Sequence, residues 1–306
     1  MMLKSVLITG SNAGLGKESA KQLAIQGVEK VYLGCRNEAK AKQAKQELEQ
    51  TTGKSVFEIV LLDVSNLESV RSAVAKIEDP IEGLIMNAGG IGGASSVNKT
   101  RDSVTQIFAV NVLGHVVLAE ELLKAGKLTK VGLFVGTEAS RGYADMGMKK
   151  PDLATSSPDE FASIASGSFF YGPDATDPMV QYGPVKYVGT MWMSSLSRQY
   201  PDVRLITMSP GATTGTEGTS AMAWHKQIYF KVMMRVAQMM GKMHGVEVGA
   251  KRLVDGVLDD SYKTGIFYAS KEGASGEICD QVVHLSDLAN QEFQDNARQA
   301  VLRFIS

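Results

Sequence analysis

Thr9-Gly10-Ser11-Asn12-Ala13-Gly14-Leu15-Gly16 decides the reading of this chain. In front of it stands Lys4-Ser5-Val6-Leu7-Ile8, a short apolar run that predicts a buried parallel strand. Behind it Ala20, Leu23, Ala24 and Val28 recur at helical spacing. The glycines therefore lie between a strand end and a helix N-terminus, where backbone N–H groups and the helix dipole favour an anion such as pyrophosphate. Glycine turns also occur without ligands, because tight turns need positive φ. Arg36 separates the two cases: it follows Gly16 by twenty residues, where an NAD-selective site carries Asp or Glu. A guanidinium there suits a 2′-phosphate, so the expected cofactor is NADP(H).

Composition excludes several other classes. The 306 residues carry a formal net charge of −1, with both signs interspersed, which leaves no electrostatic footprint for nucleic acid or an anionic membrane. Lys40, Lys42 and Lys45 share their stretch with Glu47 and Glu49 and read as a solvated helix face. Cys35 and Cys279 are far apart and show no metal spacing, so no metal is expected and a reduced, cytoplasmic setting is. The first strand begins almost at Met1, leaving no room for a signal peptide. No apolar stretch is expected to reach membrane-spanning length.

Beyond the glycine turn, strand-like runs alternate with helical patterns: Val31 to Cys35, Phe57 to Leu62, Gly83 to Met86, Val131 to Val135, Val203 to Met208, and Gly265 to Tyr268. With the first run these make seven. The expected fold is α/β: a single Rossmann-like, doubly wound domain over residues 1–306, with a seven-stranded parallel sheet, helices on both faces and ligands at the carboxyl ends of the strands. Two stretches break the rhythm. Residues 141–180 read as a loop insertion rich in Gly, Pro, Asp and Ser, and residues 218–244 as an apolar, methionine-rich helical region.

The residues with chemistry fall at the strand ends. Asp63 follows the third strand, Asn87-Ala88-Gly89 the fourth, and Asn111 and the pair Tyr182-x3-Lys186 come later. A four-residue offset at the start of a helix puts Tyr182 and Lys186 on one face. Tyrosine near its ordinary pKa of about 10 is a poor base at neutral pH, and an adjacent ammonium stabilises its phenolate. In this order, running through nearly the whole chain, these elements resemble the short-chain dehydrogenase/reductase family. The resemblance implies that Tyr182 is the general acid/base and that Lys186 tunes it and holds the nicotinamide ribose. Asn111 would complete a proton path through water, Asn87, Ala88 and Gly89 would line the cofactor cleft, and Asp63 and Val64 would meet the adenine. Gly10, Ser11, Asn12, Gly14, Leu15 and Gly16 would cradle the pyrophosphate, with Pro210, Gly211 and Thr216 closing the cofactor site.

The family places a serine after its fifth strand; here Thr137 stands in that register and supplies the same hydroxyl, with Ser140, three residues on, as its competitor. Thr137 precedes Tyr182 by 45 residues, a long spacing. Gly34-Cys35-Arg36-Asn37, Asn111-x2-Gly114-His115, Pro210-Gly211-x4-Thr216 and Leu285-Ser286-Asp287-x-Ala289 look like the light-dependent protochlorophyllide oxidoreductase branch and, less closely, retinol dehydrogenase-type reductases. Those pigment reductases carry a cysteine directly after Pro-Gly, where this chain has Ala212. His115 is read as a packed helix residue without a catalytic role. Met222, Trp224, Tyr229, Phe230, Met233, Met234, Val236, Met239, Met240 and Met243 suit a lid over a large apolar substrate, a plain buried helix or a homo-oligomer contact.

The expectation is an NADP(H)-dependent oxidoreductase acting on a carbonyl, alcohol or activated C=C bond of an apolar small molecule. The alternatives are light-driven protochlorophyllide reduction without the cysteine, a non-catalytic NADP(H)-binding redox sensor, and a scaffold that binds protein through its methionine-rich face.

Overall fold

In the computed structural model, residues 2–142, 148, 150–214 and 243–305 are described. Thr216 and residues 218–242 of the methionine-rich region lie outside the described residues, as do 143–147 and 149 in the insertion.

The strands are β1 (Ser5–Thr9), β2 (Lys30–Cys35), β3 (Phe57–Leu61), β4 (Ile81–Met86), β5 (Leu128–Val135), β6 (Arg204–Met208), β7 (Phe267–Ser270) and β8 (Ile278–Asp280). They form one sheet in the order β3-β2-β1-β4-β5-β6-β7-β8. The first seven are parallel, while β8 returns antiparallel along β7 through the pairs Tyr268–Asp280, Ala269–Cys279 and Ser270–Ile278. Among the described residues the expected count of seven is thus corrected to eight. Three residues bounded by short turns are too few for an alternating pattern to register in the sequence.

Helices α1 (Gly14–Ile25), α2 (Glu38–Thr52) and α7 (Val246–Leu258) cover one face. On the other lie α3 (Leu67–Lys76), α4 (Gln106–Lys124, with a π-helical turn at Ala109–Leu113), α6 (Pro178–Gln199) and α8 (Gln291–Leu302). Each face has its own apolar core, one built around Leu23, Ala24, Leu33 and Val257, the other around Leu84, Phe108, Val188 and Trp192. Strand order reverses between β1 and β4, so the crevice at their carboxyl ends is where a ligand fits such a sheet.

Two expectations change. Residues 141–180 are not simply a loop: Pro158–Ser166 forms helix α5, whose first turn is capped by the Ser157 hydroxyl on the Glu160 N–H (3.3 Å). The Glu160 carboxylate accepts from the backbone N–H groups of Ala154, Thr155 and Ser156 at 2.6–2.8 Å. Ser157-x-x-Glu160 has the spacing of a capping box, but only the serine half caps the helix; Glu160 ties down the loop before it, and these local hydrogen bonds outweigh the polar composition around them. Second, helix α4, with 19 residues and a mean hydropathy of 1.4, is long and apolar enough to cross a membrane. Because 78% of its apolar window is buried inside the fold, its hydropathy is explained by packing between the sheet and neighbouring helices. Cys35 and Cys279 are both free.

Candidate functional site

A cleft of about 600 Å³ opens along the carboxyl ends of the strands, and Arg36, Gly14, Asn87, Thr137, Tyr182 and Lys186 all line it. Its floor is the glycine turn. Gly10 and Gly14 sit at φ of +67° and +53°, in the region that favours glycine. Gly16 does another job: a Cβ there would come within 2.5 Å of the Gly10 carbonyl oxygen, so glycine lets α1 start directly against the end of β1. The α1 N-terminus has no side-chain cap, and Ala13, Gly14 and Leu15 face the cleft. Backbone N–H groups there are available to an anion. Ser11 differs from its expected place. It is fully buried, with its hydroxyl 3.5 Å from the Cys35 thiol, and is absent from the cleft wall.

At one end of the cleft stand Arg36, exposed just past β2, and Leu62, Asp63 and Val64 after β3. Asp63 Oδ1 accepts from the Ser65 N–H (2.9 Å) and hydroxyl (2.7 Å), which holds the turn. Val64 rests on α4 at Gly114, where a Cβ would lie 1.9 Å from the Val64 carbonyl oxygen.

Between the two ends, Thr9 ties three elements together. Its hydroxyl accepts from the N–H groups of Asn87 and Ala88, both at 2.9 Å, and lies 3.0 Å from His115 Nε2. With two donors already pointing at its oxygen, the hydroxyl proton goes to Nε2. The imidazole is then the Nδ1–H tautomer, donating to the Asn111 carbonyl oxygen at 3.3 Å. Burial, and then the Lys186 charge, drive the His115 pKa down to about 3, so the ring is neutral. His115 is a structural tie, as its packed position in the sequence implied. Asn111 sits in the π-helical turn with its amide bonded to Gly90 N and O, both at 2.9 Å, and to the Ile107 carbonyl at 2.8 Å. Its side chain shapes the Gly89–Gly90 loop.

The other end holds the ionisable groups. Lys186 is 1% exposed, donates to the Val135 carbonyl oxygen at 2.9 Å and sits 4.8 Å above the centre of the Phe134 ring. Loss of solvation lowers its pKa to about 7. Tyr182 is half-buried at the cleft wall, and burial, then the Glu138 charge, push its phenol up to about 12. Thr137 lines the cleft, whereas Ser140 is fully buried, has no partner for its hydroxyl among the described residues and is not in the wall. Pro210 and Gly211 line the cleft after β6. Among the described residues no group of three or more His, Cys, Asp or Glu is placed to hold a metal.

Sequence reasoning missed Ser209, Thr213 and the loop Gly90-Ile91-Gly92-Gly93, all of which line the cleft, and Glu138 just behind it. The run of glycines continuing past Gly89 was the available signal for the loop; Glu138 gave none, since charged residues in loops are ordinarily exposed.

Comparison with known proteins agrees with this arrangement. Residues 4–147 match the family model described as short chain dehydrogenase. The chain is similar to human retinol dehydrogenase 11, with 37% identity over 124 residues, covering 40% of this chain and 38% of that protein. It thus matches well under half the length of that relative. A short-chain dehydrogenase/reductase of Armillaria gallica is 30% identical over 217 residues, covering 68% of this chain and 65% of that one. Among solved structures, salutaridine reductase from Papaver somniferum superposes with a TM-score of 0.58 at 16% identity, covering 86% of this chain and 99% of that one, a likeness of fold. With its glycine turn, its sheet order and the match over residues 4–147, the chain is similar to the short-chain dehydrogenase/reductase family, whose members bind a nicotinamide cofactor.

Proposed function

We propose that the chain is an NADP(H)-dependent oxidoreductase that moves hydride to or from the carbonyl/alcohol group, or an activated C=C bond, of a large apolar small molecule. One observation carries this: a single cleft runs from Arg36, past the uncapped start of α1, to Thr137, Tyr182 and Lys186. The residues fit a dinucleotide with a 2′-phosphate. Arg36 would hold that phosphate, the α1 N-terminus the pyrophosphate, and Asp63 and Val64 the adenine end. When bound, the nicotinamide supplies the hydride.

Tyr182 is protonated throughout the neutral range and stands ready to give a proton to a substrate oxygen. In the opposite direction its phenolate needs a neighbouring positive charge, which Lys186, one helical turn further on, would supply in its protonated form. Thr137 offers a hydroxyl to orient the reacting oxygen. Likeness to retinol dehydrogenases supports an apolar alcohol or aldehyde as substrate.

The test is a turnover screen with NADPH against apolar aldehydes, ketones, quinones, enones and tetrapyrroles, run in darkness and under illumination. Reduction of at least one carbonyl class in darkness is expected. Product formed from protochlorophyllide in light alone would replace this reading with the photochemical one, for which Ala212 is the departure. Tight cofactor binding with no turnover anywhere would replace it with a redox sensor.

A further inference from the structure

Glu138 follows Thr137, is 3% exposed, and faces the protein interior behind the reactive end of the cleft. Both of its oxygens are engaged. Oε2 accepts from the Ser209 hydroxyl at 2.6 Å, and Oε1 accepts from the Ser270 N–H at 3.1 Å. The Ser209 hydroxyl in turn accepts from the Gly211 N–H at 3.0 Å, and Ser209, Pro210 and Gly211 form the cleft wall after β6. Behind them Arg252 of α7 donates from Nη1 to the Ser270 hydroxyl (3.0 Å) and from Nη2 to the Gly276 carbonyl (2.5 Å). One carboxylate therefore joins the ends of β5, β6 and β7, with a guanidinium one residue away.

A buried carboxylate is costly and persists where each oxygen has a donor, a condition met here. Its position also matters chemically: the turn Glu138–Arg141 packs against α6, the helix that carries Tyr182, which brings the negative charge to bear on the phenol. Around this corner the ionisable groups include Lys186 four residues further along α6, Arg252 of α7 with Tyr262 beside it, His244 just before α7, and Arg141, whose Nη1 donates to the Ser270 carbonyl at 2.8 Å.

We propose that Glu138 is a positioning residue: it fixes the Ser209–Gly211 wall through the Ser209 hydroxyl and sets the electrostatic environment in which Tyr182 exchanges its proton. The proposal rests on the reading of Tyr182 as proton carrier. Two consequences separate it from a merely structural role. Glutamine at 138 has one acceptor oxygen for two donors, so either Ser209 or Ser270 must face an N–H group, and the wall loosens. Glutamine also removes the negative charge, which makes the Tyr182 phenolate easier to form.

The experiment uses the full chain with NADP⁺ and needs no substrate. Near-ultraviolet tyrosinate absorbance is titrated for wild type, Glu138→Gln and Ser209→Ala, each against the same protein carrying Tyr182→Phe, so that the difference isolates Tyr182. Glu138→Gln is expected to move that titration down by about one pH unit. Ser209→Ala keeps the charge and leaves the titration in place. Both variants weaken NADP⁺ binding about tenfold, the scale of one buried group losing its partner. An unmoved Tyr182 titration in Glu138→Gln, or wild-type NADP⁺ affinity in Ser209→Ala, overturns the proposal; the second stands even if Glu138→Gln does not fold. A wild-type signal that Tyr182→Phe fails to diminish overturns the proton-carrier reading first, and the proposal with it.

Discussion

The two ends of the cleft are built from opposite materials. At the Arg36 end the work falls to backbone and to exposed charge: glycines at positive φ, an uncapped helix start, and a guanidinium in water. At the Tyr182 end it falls to buried ionisable side chains, Lys186 and Glu138, each 3% exposed or less. The difference teaches where function is rigid. A phosphate in water is recognised by many N–H groups, none of them critical. A proton is moved by one group whose pKa depends on everything packed around it.

The largest effect should come from the buried end. Tyr182→Phe is expected to cut turnover about 10²–10⁴-fold, the usual worth of a positioned acid, while NADPH binding stays near wild type. Steady-state kinetics beside a binding titration checks this, and equal losses in both would erase the contrast between the ends. Next in size is the joint between them. Gly114→Ala drives a Cβ into the Val64 carbonyl and should destabilise the fold by about 3 kcal/mol, seen as a lower urea midpoint. At the exposed end, Arg36→Ala should weaken NADPH about tenfold and leave NADH unchanged, because only NADPH offers the phosphate a charge-assisted bond. Parallel losses for both dinucleotides would remove Arg36 from the phosphate site.

The smallest effect is a slope. His115 binds its proton near 6.5 when unfolded and near 3 when folded, so below 6.5 the unfolded state binds more protons and stability falls as the pH drops. Folding free energy should lose about 1 kcal/mol between pH 6 and pH 5 through this group alone. His115→Asn should flatten that part of the curve, measured by urea melts across the range. An unchanged slope would mean that other groups carry it.

The same contrast explains what could be read in advance. Gly10, Gly14 and Gly16 were legible because the turn follows from local backbone geometry, and the place of Arg36 in the cleft wall because it lies at a fixed spacing from them. Tyr182 and Lys186 were legible as a pair because an offset of four residues means one helix face. Glu138 was not: its partners Ser209 and Ser270 lie 71 and 132 residues away, and only the sheet order brings them together. Strand β8 escaped for its brevity, and helix α5 because its Ser157 cap sits in a stretch of loop-like composition. For Ser11, membership of the motif did not tell that its hydroxyl turns inward, towards the Cys35 thiol.

Helix α6, which bears Tyr182 and Lys186, is held from behind by the far end of the chain. The Ser195 hydroxyl donates to Asp295 at 2.6 Å, Arg198 bonds Gln294 and Asp295, and Arg298 clamps Glu120 of α4 at 3.0 Å, the same carboxylate that receives the Trp192 indole N–H. During synthesis, then, the strands and helices around the glycine turn leave the ribosome long before the segment that braces the reactive helix. A nascent chain is therefore expected to brace this helix only once α8 has left the ribosome.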